Sequence, residues 1–252
     1  MRRDPTAVKE SPGSRSRRRV MLVQVRGDEA AEAQEQLCFL ETAGLEAEEM
    51  DCINVVREPD ISWSRVESAE VLFLGGAGAH SATRDFDFTK PLGDLVSRWI
   101  EEGRPLFGSC WGHHFLVQML GGEVVTDHAT GEVGTFDIEL TEAGAKDPLF
   151  ADCPRLFAAQ LGHHDRVEKL PTGCEELACS DRCRNQVLRL SDRPVYGTQF
   201  HSEMNESHLQ ARLMMYRDTY LEERTVEDEL SASVRPSPHA ERLLARFLDL
   251  YV

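Results

Sequence analysis

Pro105-Leu-Phe-Gly-Ser-Cys-Trp-Gly112 carries a short apolar stretch into a cysteine bracketed by two glycines, and residues 115–120 continue as an apolar helix closed by Gly121-Gly122. The pattern G-x-C-x-G between a strand and a helix predicts a tight turn. Its small flanking residues let the backbone fold sharply and expose the side chain of Cys110. At that point the backbone N–H of Trp111 faces an oxyanion forming on an attacked carbon, and the helix N-terminus favours thiolate over thiol. A buried cysteine whose glycines merely allow close packing produces the same five residues, so a nucleophile needs a partner elsewhere.

Upstream of this unit, Val71-Leu72-Phe73-Leu74 is a continuous apolar run that leads into Gly75-Gly76-Ala77-Gly78. Residues 91–102 follow as a predicted helix with Leu92, Leu95, Val96, Trp99 and Ile100 on its inner face. Nearer the start, Val20-Met-Leu-Val-Gln-Val25 has the composition of a strand buried on both faces. Asp28 is placed to cap a helix that ends at Gly44. A weaker strand is expected at 49–55 and a short helical piece at 63–68. Alternation of this kind, with glycine-marked junctions, predicts an α/β fold: a doubly wound, mostly parallel sheet with flanking helices. The second half reads differently. Strand-like segments at 123–126, 135–140, 156–160, 186–190 and 195–200 suggest a small antiparallel excursion before the chain returns to the main sheet. The expected organisation is a disordered basic tail (1–19), one domain (20–221), a linker or mobile loop (222–238) and a C-terminal packing helix (239–252).

With 252 residues there is room for one such domain and none for a second large one. The formal net charge is -16, yet residues 1–19 are basic, so the remainder carries 21 basic and 42 acidic groups. A body of that sign repels phosphate backbones, which argues against nucleic acid as a partner. No apolar run approaches the roughly 20 residues that span a bilayer, and no apolar segment with a cleavage site follows the first charges. A cytoplasmic protein without membrane contact is expected. Seven cysteines at irregular spacing fit neither a disulfide framework nor a zinc ribbon. Cys179 and Cys183, with His163 and His164 upstream, lack the spacing of a metal site, so no metal is expected.

A thiol nucleophile needs a histidine oriented by an acid, brought close by the fold. His201-Ser202-Glu203 follows the strand-like residues 195–200, which places both side chains at the carboxyl end of a strand, where open α/β sheets build their sites. Three blocks in order, Gly108-Ser-Cys-Trp-Gly-His113, Leu161-Gly-His-His-Asp165 and Tyr196-Gly-Thr-Gln-Phe-His-Ser-Glu203, resemble those of class I glutamine amidotransferases, including the glutaminase part of GMP synthase. The resemblance covers about residues 20–220 and implies a flavodoxin-like fold. It also implies Cys110 as nucleophile, His201 as general acid/base and Glu203 as its orienting carboxylate. Gly76 and Trp111 correspond to the oxyanion hole, and His114, His163 and Asp165 to substrate-binding positions.

Departures from the family pattern concern the substrate. Where the family continues G-H-Q, this chain has Gly112-His113-His114, so one glutamine amide is missing; Ser202 replaces a common proline, and the loop after Gly76 lacks its usual proline. The resemblance implies hydrolysis of the glutamine side-chain amide through a γ-glutamyl thioester, without metal or organic cofactor, and ammonia passed to a separate synthetase chain. Two alternatives stay open: a stand-alone hydrolase of γ-glutamyl amides or peptides, and a non-catalytic partner or regulator with the same fold. The chaperone and protease-like cysteine group fits less well, because it places a histidine directly after the nucleophile and here residue 111 is Trp.

Overall fold

The computed structural model describes residues 17–78, 80–215 and 233–252. The anticipated tail and linker lie mostly outside the described residues. Eleven strands are described: β1 (Val20–Val25), β2 (Met50–Asn54), β3 (Val71–Ala77), β4 (Leu106–Ser109), β5 (Glu123–Thr126), β6 (Glu132–Leu140), β7 (Leu156–His163), β8 (Asp165–Lys169), β9 (Cys174–Cys179), β10 (Val187–Leu190) and β11 (Val195–Thr198). Five α-helices accompany them: α1 (Glu29–Ala43), α2 (Thr89–Glu101), α3 (Trp111–Met119), α4 (Glu206–Met215) and α5 (Leu243–Tyr251).

Nine strands form one sheet in the order β2-β1-β3-β4-β11-β10-β9-β6-β7, and β5 pairs with β8 as a separate two-stranded ribbon. The first five strands of that order run parallel. From β11 onward the pairings are antiparallel. The excursion expected of the second half is therefore mostly an extension of the main sheet across β10, β9, β6 and β7.

Both faces of the parallel part are covered, which explains its unbroken apolar runs. Val71 and Phe73 point to one side with Phe39, Phe107 and Tyr196. Leu72 and Leu74 point to the other, among Leu92, Trp99, Trp111 and Leu116 of α2 and α3. The C-terminal helix belongs to the first of these layers: the Phe247 ring lies 5.4 Å from Phe107 and 6.5 Å from Phe73. Helix α1 begins as anticipated, with the Asp28 side chain accepting from the Ala31 N–H at 2.9 Å. It ends at Gly44 in the left-handed region, φ 63°.

Sequence periodicity did not announce β8, β9 or α4. In β8 only Val167 is buried among charged neighbours, so the strand is held by backbone pairing to β5 and carries no alternation of its own. No helix among the described residues is long and apolar enough to cross a membrane.

Candidate active site

Strand β4 ends at Ser109, and α3 begins at Trp111, so Cys110 alone makes the turn. It does so at φ 49°, ψ −98°, a conformation costly for a residue with a side chain and one that marks functional sites. The two glycines make that turn possible. A Cβ on Gly108 would stand 2.7 Å from the carbonyl of Gly112, and one on Gly112 would stand 2.5 Å from the Leu74 carbonyl oxygen. As the first helical residue, Trp111 has an N–H without an intrahelical acceptor. Its ring stacks on Phe115, with centroids 5.0 Å apart.

Just beyond β11, parallel to β4, the chain delivers the second half of the site. His201 Nδ1 lies 2.6 Å from Glu203 Oε1, so Nδ1 carries the hydrogen and Nε2 is left for the thiol. Burial disfavours an imidazolium, but the Glu203 carboxylate and the Cys110 side chain outweigh it and lift His201 to about 10. Burial likewise opposes the charge on Glu203, and His201 together with the Ser109 hydroxyl overcomes it, holding the carboxyl at about 2. Glu203 is fully buried, with Ser109 Oγ donating to Oε2 at 2.5 Å. Ser109 is thus a member of the site that the five-residue motif leaves as a free position.

A cavity of about 240 Å³ opens in front of Cys110. His114, His163 and Asp165 all line it together with Trp111, so the three residues anticipated around the substrate converge there. His114 is lowered to about 4 by burial, hence neutral, and its Nε2 donates to Gln199 Oε1 at 2.6 Å. The other end of that amide, Gln199 Nε2, stands 4.0 Å from the Cys110 sulfur. Gln199 is a second residue of the site that the motif pattern leaves unmarked, although it sits inside the third block. His163 bridges the Asp165 carbonyl at 2.8 Å and the buried carboxylate of Glu132 at 3.0 Å. Asp165 accepts from Ser81 at 2.5 Å and from Thr126 at 2.6 Å. His113 does not reach the cavity. It is fully buried against Gly197, where a Cβ would meet its Nδ1 at 2.7 Å.

Gly76 departs from expectation. Its N–H donates to Glu35 Oε1 at 2.9 Å, away from the cavity, and the residue is not part of the cavity wall. The cause is a buried carboxylate: Glu35 also takes Arg26 Nη2 at 2.6 Å and Gln24 Nε2 at 2.9 Å, and collects N–H donors because it has no water. The wall on this side is formed by Ala77 and Gly78. Among the described residues no group of three His, Cys, Asp or Glu side chains is arranged to hold a metal ion. All seven cysteines are free.

The family model for glutamine amidotransferase class-I matches residues 46–217. Among curated relatives, a glutamine-hydrolyzing GMP synthase subunit from Archaeoglobus fulgidus is 34% identical over 114 residues, 45% of this chain and 59% of that protein. The protein of the same name from Methanocaldococcus jannaschii is 35% identical over 100 residues, 40% and 51% of the two chains. The chain therefore spans between about half and three-fifths of the length of these relatives. Among solved structures, a glutamine amidotransferase from Thermotoga maritima superposes with a TM-score of 0.76 at 18% identity, covering 94% of this chain and 99% of that one. One from Methylobacillus flagellatus gives 0.72 at 19%, covering 94% and 96%. The shared fold around a matched segment longer than half the sequence gives the assignment: the chain belongs to the class-I glutamine amidotransferase family.

Proposed function

We propose that this protein hydrolyses the side-chain amide of glutamine, with Cys110 as nucleophile, His201 as general acid and base, and Glu203 as the carboxylate that orients His201. The observation that carries the reading is the strained Cys110 in the wall of the cavity, beside an imidazole whose Nδ1 is tied to a buried carboxylate. His201 takes the thiol proton, and the thiolate attacks the δ-carbon while the Trp111 N–H and the α3 N-terminus stabilise the oxyanion. The carbon–nitrogen bond then breaks, and ammonia leaves with the proton from His201. Water, losing a proton to the same imidazole, attacks the γ-glutamyl thioester; the carbon–sulfur bond breaks and glutamate is released. None of these steps calls for a metal or organic cofactor.

The relatives from Archaeoglobus fulgidus and Methanocaldococcus jannaschii are each named as one subunit of GMP synthase, and a separate chain that consumes the ammonia is the partner this reading calls for. A second reading has its own support. His114 stands where the family carries an amide, and the outer wall of the cavity holds His80, His128 and His164. That wall suits a γ-glutamyl amide or peptide with a larger leaving group than ammonia. The deciding experiment measures glutamate and ammonia release from glutamine by the purified chain and by Cys110→Ala, beside a panel of γ-glutamyl amides. Release from glutamine that vanishes in the variant supports the first reading. Turnover confined to other γ-glutamyl compounds supports the second, and silence on every substrate removes both.

A further inference from the structure

Against His201 lies a second, smaller chamber of about 20 Å³, enough for a water-sized occupant. Ala77 and Gly162 belong to the walls of both spaces and so form the partition between them. The remaining wall is apolar except for Arg26, His201 and Arg212, and it includes no acidic residue among the described residues.

The three cationic groups differ in how they are neutralised. Arg26 is paired with Glu35 at 2.6 Å and His201 with Glu203 at 2.6 Å. Both carboxylates are fully buried and already hold other donors: Gln24 and Gly76 on Glu35, Ser109 on Glu203. Among the described residues Arg212 has no such partner. It is only 5% exposed, its Nε donates to the neutral amide of Gln34, and its buried Nη2 makes no hydrogen bond to any described residue. A buried guanidinium without a carboxylate is expensive, and an unused charged N–H adds to the cost. An acceptor carrying negative charge would offset both.

We infer that the chamber formed by Arg26, His201 and Arg212 is a binding site for a small monovalent anion of halide size. Size and charge both limit the occupant. The cationic wall favours a small anion, and a space of about 20 Å³ is far too small for an extended organic anion such as gluconate. Water also fits, but it leaves the Arg212 guanidinium offset only at a distance, by Glu35 and Glu203, with no acceptor of its own for Nη2. The occupant sits next to the imidazole of the proposed triad without touching the substrate cavity, so the site is distinct from the glutamine pocket.

The test compares thermal unfolding in sodium bromide with that in sodium gluconate at equal ionic strength, gluconate being far too large for the chamber. It uses the whole chain, Arg212→Met and Leu213→Phe; the latter fills the chamber from its apolar side and removes no charge. At a bromide concentration 20 times its Kd, the unaltered chain should melt roughly 4–7 °C higher in bromide than in gluconate. Both variants should lose most of that difference, and if Arg212→Met does not fold, Leu213→Phe carries the comparison alone. An anomalous bromide peak inside the chamber of a crystal is the positional counterpart. A bromide response equal in the unaltered chain and Leu213→Phe, no bromide-specific response, or a peak absent from the chamber would each overturn the inference. Since none of these readouts involves turnover, a failure here is separable from a failure of the glutaminase reading.

Discussion

The Ser109 hydroxyl donates to Glu203 Oε2 at 2.5 Å while Oε1 of the same carboxylate accepts from His201 Nδ1 at 2.6 Å. The elbow and the histidine loop are thereby joined through one buried carboxylate, and the residue immediately before the proposed nucleophile holds the carboxylate proposed to orient its base. Ser109→Ala should remove a charge-assisted hydrogen bond worth about 1.5–3 kcal/mol. Glutamate release should then fall on the order of tenfold, mostly in kcat, with partial recovery in Ser109→Thr. An unchanged kcat would reduce Ser109 to a packing residue.

Titration of the same pair fixes a stability window. His201 is raised from 6.5 to about 10, so its contribution to folding is complete below pH 6.5 and is lost as pH rises through 10. Glu203 is lowered from 4.5 to about 2, so its contribution is complete above pH 4.5 and is lost as pH falls through 2. Both act together between about pH 4.5 and 6.5. Denaturant unfolding measured from pH 4 to 10 should show the stability difference between the unaltered chain and His201→Asn shrinking steadily above pH 6.5. A difference constant across that range would contradict the assignment.

Glu35 and Arg26 form an ion pair with side chains 0% and 1% exposed, and Glu35 also secures the Gly76 N–H. Breaking one side leaves an uncompensated buried charge, a loss of about 3–5 kcal/mol. For a domain of this size Glu35→Ala should lower the melting temperature by roughly 6–20 °C. The double variant Glu35→Leu/Arg26→Met, which removes both charges, should recover part of that loss. Equal melting temperatures for Glu35→Ala and the double variant would show that packing, and not charge, sets the effect.

Two glycines on different elements should respond in opposite directions to alanine. At Gly112 the new Cβ would stand 2.5 Å from the Leu74 carbonyl oxygen, backbone that cannot move aside without displacing β3. Gly112→Ala is therefore expected to abolish both the elbow geometry and activity, and to lower the yield of soluble protein. At Gly93, inside α2, nothing lies within 4 Å of an added Cβ. Gly93→Ala should raise stability by roughly 0.5–1 kcal/mol, read from the denaturation midpoint, because alanine loses less backbone entropy in a helix.

Local features of the sequence determined the elements that carry the site. Unbroken apolar runs such as Val20–Val25 mark strands covered on both faces, Asp28 and Gly44 bound α1, and Gly108 leaves room for the Gly112 carbonyl within the same turn. These depend on neighbours in the chain, so short patterns suffice to read them. Tertiary structure alone decided where individual hydrogen bonds go. Glu35 meets Gly76 across 41 residues, His114 meets Gln199 across 85, and Ser109 meets Glu203 across 94. It also decided that β8, nearly all charged, pairs as a strand, and that α4 places Arg212 in the chamber wall with His201. Such outcomes follow from which buried carboxylate or amide lacks water and finds a donor within reach. That is a property of the packed interior and leaves no periodic mark in the sequence.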